Sequence, residues 1–185
     1  MVMARSTGRQ PRDGVTAVDS ATPRIDLVRA AQDGDHRAFV TLVGEVDEQM
    51  RRFAHLMLGS RAVMDLALRD AYLTAYRRFS TFDGRPPFVV WLYGVVHRAC
   101  RDRLRLRGGG RGIEIDLVAP SDPRLAAVRD LPLDQLAVVA LVDGGGLPAA
   151  DAAAVLGVSE RVVGRLHRRA HDTLRTVLQE QEKSS

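Results

Sequence analysis

The run from Phe88 to Arg107, FVVWLYGVVHRACRDRLRLR, constrains the fold most, because it reads as one helix with two different surfaces. At about 100° per residue, Trp91, Leu92, Val95, Val96 and Ala99 fall on one side, and Arg98, Arg101 and Arg105 fall on the other. The first side requires a core and the second suits an anion. A chain that buries such a helix must supply other amphipathic helices around it. Only 5% of residues are aromatic within a 45% hydrophobic composition rich in alanine, leucine and valine, and this favours packed helices over sheets. Taken alone, the arginine stripe is either a solvated helix face or a nucleic-acid contact.

The rest of the chain supplies those partners. Residues 1–24 mix Arg, Ser, Thr, Gly, Pro and Asp without a hydrophobic period and read as a disordered arm. A short helix from Asp26, DLVRAAQDG, precedes a longer one beginning near Asp35. The longer one sets Phe39, Leu42, Val43, Val46, Met50, Phe53 and Met57 at helical spacing. Gly59 ends it, and Ser60 caps the next helix. There Leu68, Tyr72, Tyr76 and Phe79 form one apolar face, and Val63, Leu66 and Ala67 form another. The loop TFDGRPP resets the chain before Phe88.

After Arg107 the run RGGGRG cannot sustain a helix. With IEIDLVAPSDP it makes a flexible linker over 108–122, whose acids Glu114, Asp116 and Asp122 contrast with the arginines before it. The expected organisation is all-α: two small helical domains, 25–107 and 123–179, joined by this linker and followed by a tail, 180–185.

The second domain starts with a short helix near Arg124–Arg129 and a buried one in LPLDQLAVVALVD, closed by Gly144–Gly146. Pro148 suits the first turn of AADAAAVLG. Gly157–Ser159 then make a tight turn, with Ser159 as N-cap of a last helix running to about Gln179. A short helix, a glycine turn and a longer basic helix form the helix-turn-helix pattern. Val162, Val163, Leu166, Ala170, Leu174 and Val177 line the core side of the last helix. Arg161, Arg165 and Arg168 stand opposite, where a recognition helix offers guanidinium groups to guanine edges and phosphates. Gly164 leaves room there for a close backbone approach.

Charge and cysteine usage narrow the class. The net charge is +4 with a pI near 9.9, and all but one of the 27 basic residues are arginine, Lys183 being the exception. Arginine suits phosphate and guanine, although a GC-rich genome gives the same bias. Cys100 has no disulfide partner. No apolar run approaches membrane-spanning length and the N-terminus lacks a signal-peptide segment, so the expected location is cytoplasmic.

With both domains in view, the chain resembles a bacterial RNA polymerase sigma factor of the small extracytoplasmic-function (ECF) type over residues 25 to about 178. DLVRAAQDGDHRAF resembles the family's opening helix, MDLALRDAYLTAY its polymerase-binding helix and TFDGRPPFVVWLYGVVHRACRDRLR its promoter-melting segment. LPLDQLAVVALVDGGGLPAADAAAVLGVSERVV, with Arg169, Ala170 and Leu174, resembles its helix-turn-helix.

The resemblance implies a transcription initiation factor that binds core RNA polymerase, directs it to specific promoters and aids melting. Its partners would be core polymerase, promoter DNA and, as a further candidate, an anti-sigma factor. It implies polymerase contacts at Asp65, Arg69, Asp70 and Tyr72. Upstream-element contacts fall at Arg161, Arg165 and Arg168, and downstream contacts at Arg98, Arg101, Arg105 and the loop Thr81–Phe88. Trp91, on the apolar arc, belongs to the core. Leu66, Arg69 and Arg98 depart from the family pattern, as do Arg161, Val162 and Gly164, and these are contact positions. Leu66 and Arg69 keep open a second reading, a degenerate relative acting as a helix-turn-helix regulator or partner-binding protein.

No enzyme site is expected. No catalytic constellation, phosphate loop or cofactor motif stands on suitable elements. His167 and His171, one helical turn apart, could hold a metal, but no cysteine or acid set completes the shell.

Overall fold

The short polar side chains of Asp35, Ser60 and Asp122 start helices, and the left-handed glycines Gly59 and Gly157 stop others. The computed structural model describes residues 21–108 and 122–184, and the arm before Ala21 and the linker acids Glu114 and Asp116 lie outside those residues. The first helix, α1, spans Ala21–Gln32. Asp35 then caps α2, His36–Gly44, its carboxylate accepting from the N–H groups of Arg37 at 2.8 Å and Ala38 at 3.2 Å. Helix α3, Asp47–Leu58, ends at Gly59, whose φ of 74° is left-handed and suits glycine. Ser60 opens α4, Arg61–Arg78, by accepting from the Val63 N–H. A 3₁₀ turn, Phe79–Thr81, and an irregular loop lead into α5, Phe88–Gly108.

The long helix expected from Asp35 is two. Gly44 weakens a helix interior by about 1 kcal/mol relative to alanine, and the chain turns at Glu45 and Val46. The turn lets Phe39, Leu42 and Val43 on α2 and Met50, Phe53 and Met57 on α3 all be buried. It also makes Asp47 a first-turn residue, where the positive end of the helix dipole favours a carboxylate. Asp47 takes the Tyr72 hydroxyl at 2.7 Å and the Arg51 guanidinium at 2.7 Å. Burial and this hydrogen bond push the Tyr72 phenol well above its ordinary range, so it stays a donor. Tyr72→Phe should therefore cost about 1–2 kcal/mol in urea unfolding, because a half-buried charge-assisted hydrogen bond is lost without changing shape. An unchanged midpoint would deny the bond any net role.

The second half contains α6, Pro123–Arg129, capped by Asp122, and α7, Leu133–Val139. A π-helical turn, Ala140–Gly144, continues α7. Then come α8, Ala149–Leu156, and α9, Glu160–Ser184, which extends past Gln179 through most of the expected tail. Both halves share one apolar core. Its axis is α5, which packs on α4, α3 and α8. Val90, Leu92, Tyr93, Val95, Val96, His97 and Cys100 are all buried, so the helix is covered around more of its circumference than a two-faced reading implies.

The halves meet closely at Gly145. A Cβ there would lie 2.7 Å from the Leu141 carbonyl oxygen, closer than real side chains come to backbone, and a tight 3.0 Å from the Tyr93 hydroxyl. Glycine is required by contact at this position.

Candidate polymerase and promoter interfaces

In the second half, packing fixes the angle between α8 and α9. Gly157 adopts φ 69° and donates its N–H to the Ala153 carbonyl, which also accepts from Val158 at 3.1 Å. The Ser159 carbonyl accepts from Val162 and Val163 at 2.9 and 3.1 Å and so starts α9. Ala152, Ala153, Val163 and Ala170 close the small core between the two helices. Arg161, Arg165 and Arg168 are all exposed, on the face away from Val163 and Ala170. Around Gly164, the nearest atom to where a Cβ would sit is Arg168 Nη1 at 3.9 Å, so the chain leaves the backbone open beside the arginines.

The three arginines of α5 are placed differently from one another. Arg98 and Arg105 are exposed, whereas Arg101 is half-buried and its Nε is buried without a hydrogen-bond partner among the described residues. Arg98 and Arg101 line a groove of about 320 Å³ whose far wall is α8, at Val155, Leu156 and Gly157. Beneath them His97 is buried. Desolvation, with the positive charges of Arg101 and Arg98, pushes its imidazole down to about 4, against a smaller opposing pull from Asp134.

At the other end of α5, Trp91 is half-buried in an aromatic cluster with Phe79, Phe82 and Phe88, its ring 5.2 Å from Phe82 and 5.7 Å from Phe79. It serves the core, as its position on the apolar arc predicts. A groove of about 410 Å³ opens beside this cluster, between α1 and the loop, and is walled by Ile25, Val28, Phe82, Gly84, Pro87 and Phe88. The Gln32 side-chain amide donates to the Phe82 carbonyl and ties α1 to the loop.

On α4 the four expected contact residues divide. Asp65 and Arg69 are exposed, with Asp65 bonded to Arg51 at 2.9 Å. Asp70 is half-buried in an ion pair with Arg103 of α5, and Tyr72 serves Asp47. Leu66 is half-buried. The outer ridge continues instead through Leu73, 50% exposed, and Tyr76, 36% exposed. These fall on the same side as Asp65 and Arg69 by helical spacing. Sequence reading passed over Leu73, although an apolar residue on the polar arc of an amphipathic helix is a legible signal.

Buried Cys100, its thiol pushed up to about 12 by desolvation, is unsuited to nucleophilic chemistry. The acid that sequence could not find beside His167 and His171 is Asp143 of the π turn.

The architecture has relatives. The pattern of sigma-70 region 2 matches residues 42–109, from α2 to the end of α5. Over 163 residues the chain is 33% identical to the ECF RNA polymerase sigma factor SigM of Mycobacterium tuberculosis, covering 83% of each protein. The chain belongs to the ECF RNA polymerase sigma factors. This sigma factor is an alternative initiation factor that directs RNA polymerase to promoters, and its relatives are not enzymes. Among solved structures it resembles CnrH, seen in complex with the cytosolic domain of CnrY. That match has a TM-score of 0.68 and 26% identity, over 85% of this chain and 97% of the other. It shares its fold with RpoE of Bartonella quintana, seen with the anti-sigma factor NepR, at a TM-score of 0.66 and 21% identity, over 76% and 96%. Among the described residues no helix of this sigma factor is long and apolar enough to cross a membrane.

Proposed function

We propose that this sigma factor reads the upstream promoter element with Arg161, Arg165 and Arg168. The observation that carries this assignment is a recognition helix locked by Val163 and Ala170 that leaves those three arginines exposed together. Guanidinium groups so held donate in pairs to guanine and singly to phosphate. The downstream element is met by the loop Thr81–Phe88, whose groove accepts an unstacked base against apolar walls, and by Arg98 and Arg105 on the phosphates. Arg101 joins them once α8 moves from the groove it shares with α5.

Core polymerase docks on the outer ridge of α4, at Asp65, Arg69, Leu73 and Tyr76. Asp70 and Tyr72 support that ridge from within, through Arg103 and Asp47. The factor works in the cytoplasm, with polymerase and the chromosome, and an anti-sigma protein is its regulatory partner.

Run-off transcription tests this reading. Purified protein is added to sigma-free core polymerase with a genomic fragment library as template. Discrete new transcripts are the expected result, and their start sites locate both promoter elements. Co-purification with core is measured alongside. Tight binding to duplex DNA without polymerase, with no binding to core, would instead return the regulator reading.

A further inference from the structure

Asp143, His167 and His171 come from two separate elements and point their ligand atoms at one spot. His167 Nε2 lies 2.8 Å from one Asp143 carboxylate oxygen, and His171 Nε2 lies 2.9 Å from the other. The two Nε2 atoms are 3.2 Å apart. In a tetrahedral zinc site with bonds of about 2.0–2.1 Å, neighbouring ligand atoms are separated by roughly 3.3 Å. One carboxylate oxygen faces each imidazole and the two ring nitrogens lie 3.2 Å apart, so the donor atoms are close to the spacing of one face of such a tetrahedron, and small outward shifts that bring one oxygen between the rings admit the ion.

The donor set fits the same ion. Two imidazoles and a carboxylate suit a borderline divalent metal such as Zn²⁺, and a ring nitrogen pair argues against Mg²⁺ or Ca²⁺, which take oxygen ligands. The backbone contributes as well. A π-helical turn is an uncommon local distortion that recurs at functional sites, and the turn Ala140–Gly144 contains Asp143 and faces α9.

We propose that Asp143, His167 and His171 form a binding site for a zinc-class divalent cation, with the fourth position open to water. The cation braces the recognition helix. It ties α9 to the π turn at the border between the core face of Val163 and Ala170 and the arginine face of Arg165 and Arg168. The proposal holds whether or not the arginines read DNA, because it rests on the ligand geometry alone. Solvent reaches the site, since the side chains of Asp143, His167 and His171 are 37%, 30% and 48% exposed, so an ion has a path in.

The test uses the full, tag-free chain titrated with Co²⁺ and followed by visible absorption, then with Zn²⁺ in competition. The expected result is one cobalt per chain with an intense tetrahedral d–d spectrum, displaced by one equivalent of zinc. His167→Gln with His171→Gln should abolish the spectrum, and Asp143→Asn should weaken cobalt affinity at least tenfold. Far-UV circular dichroism of the variants, expected to match wild type at these partly exposed positions, separates loss of ligands from loss of fold. The proposal is overturned by a chain that gives no tetrahedral spectrum at stoichiometric cobalt. It is equally overturned by a spectrum that persists in the double variant, which would place the ion on other histidines.

Discussion

Lowering the pH from 6.5 to 4 should remove about 3 kcal/mol from the unfolding free energy of this sigma factor through His97 alone. An unfolded histidine binds its proton near pH 6.5, whereas burial and the charges of Arg101 and Arg98 push the native imidazole down to about 4. Between those values the unfolded state holds the extra proton, so stability rises with pH across that window. The contribution is complete above about 6.5 and is lost as pH falls towards the native value. His97 is only 5% exposed, so little solvent screening dilutes the effect. His55, lowered by its own burial and by Arg129 and Arg61, adds in the same direction.

Urea unfolding at half-unit pH steps makes the comparison, with His97→Leu as the reference. The variant keeps the site apolar and should show a much flatter profile between pH 4 and 6.5. Parallel profiles for the two proteins would mean that His97 is not the group responsible. The position gives this lability a structural consequence. His97 lies where α5 meets the second half of the chain, with Asp134 at the start of α7 among the charges it senses. Protonation thus strikes the junction between the two halves.

Which parts of this arrangement were legible beforehand follows from distance along the chain. The caps at Asp35 and Ser60, the stops at Gly59 and Gly157, and the arginine face of α9 all depend on neighbours within a few residues. Hydrophobic period and turn chemistry report such features directly. The resemblance names Asp70 and Tyr72 as polymerase contacts, and the partners that engage them in the fold, Arg103 and Asp47, stand 33 and 25 residues away. No local pattern shows that a polar side chain is already engaged.

The same limit hid Asp143, 24 residues from His167, behind a π turn that propensity does not register. It also hid the seating of α8 on α5, because an alanine-rich helix such as AADAAAVL fits equally against its own helix-turn-helix and against a neighbour. The break at Gly44–Val46 lies between these cases. Its glycine was visible, but the reason to turn there is the burial of two stripes at once.

Arg165→Ala should weaken binding of the polymerase holoenzyme to its upstream element by about 1–3 kcal/mol, and the loss should depend on sequence. A bidentate guanidinium–guanine contact discriminates between bases, so the variant should bind wild-type promoters and promoters altered at that base pair with nearly equal affinity. Arg105→Ala should behave otherwise. Exposed near the end of α5, Arg105 meets phosphate in this reading, so its loss weakens all promoters alike and reduces the salt slope by about one.

Fluorescence anisotropy of holoenzyme on labelled promoter duplexes, repeated across salt concentrations, separates the two outcomes. If both variants lose affinity uniformly, Arg165 contacts backbone only and the reading of bases falls to Arg161 or Arg168. If neither loses affinity, the arginine face of α9 is a solvated surface. Arg101→Ala links the two halves. Arg101 lines the groove against α8 and its Nε is buried, so affinity for promoter falls only to the extent that the groove opens when DNA binds. A loss as large as that of Arg105→Ala would mean that the two halves part in the complex with DNA. No loss would mean that α8 stays seated on α5 while α9 reads the upstream element.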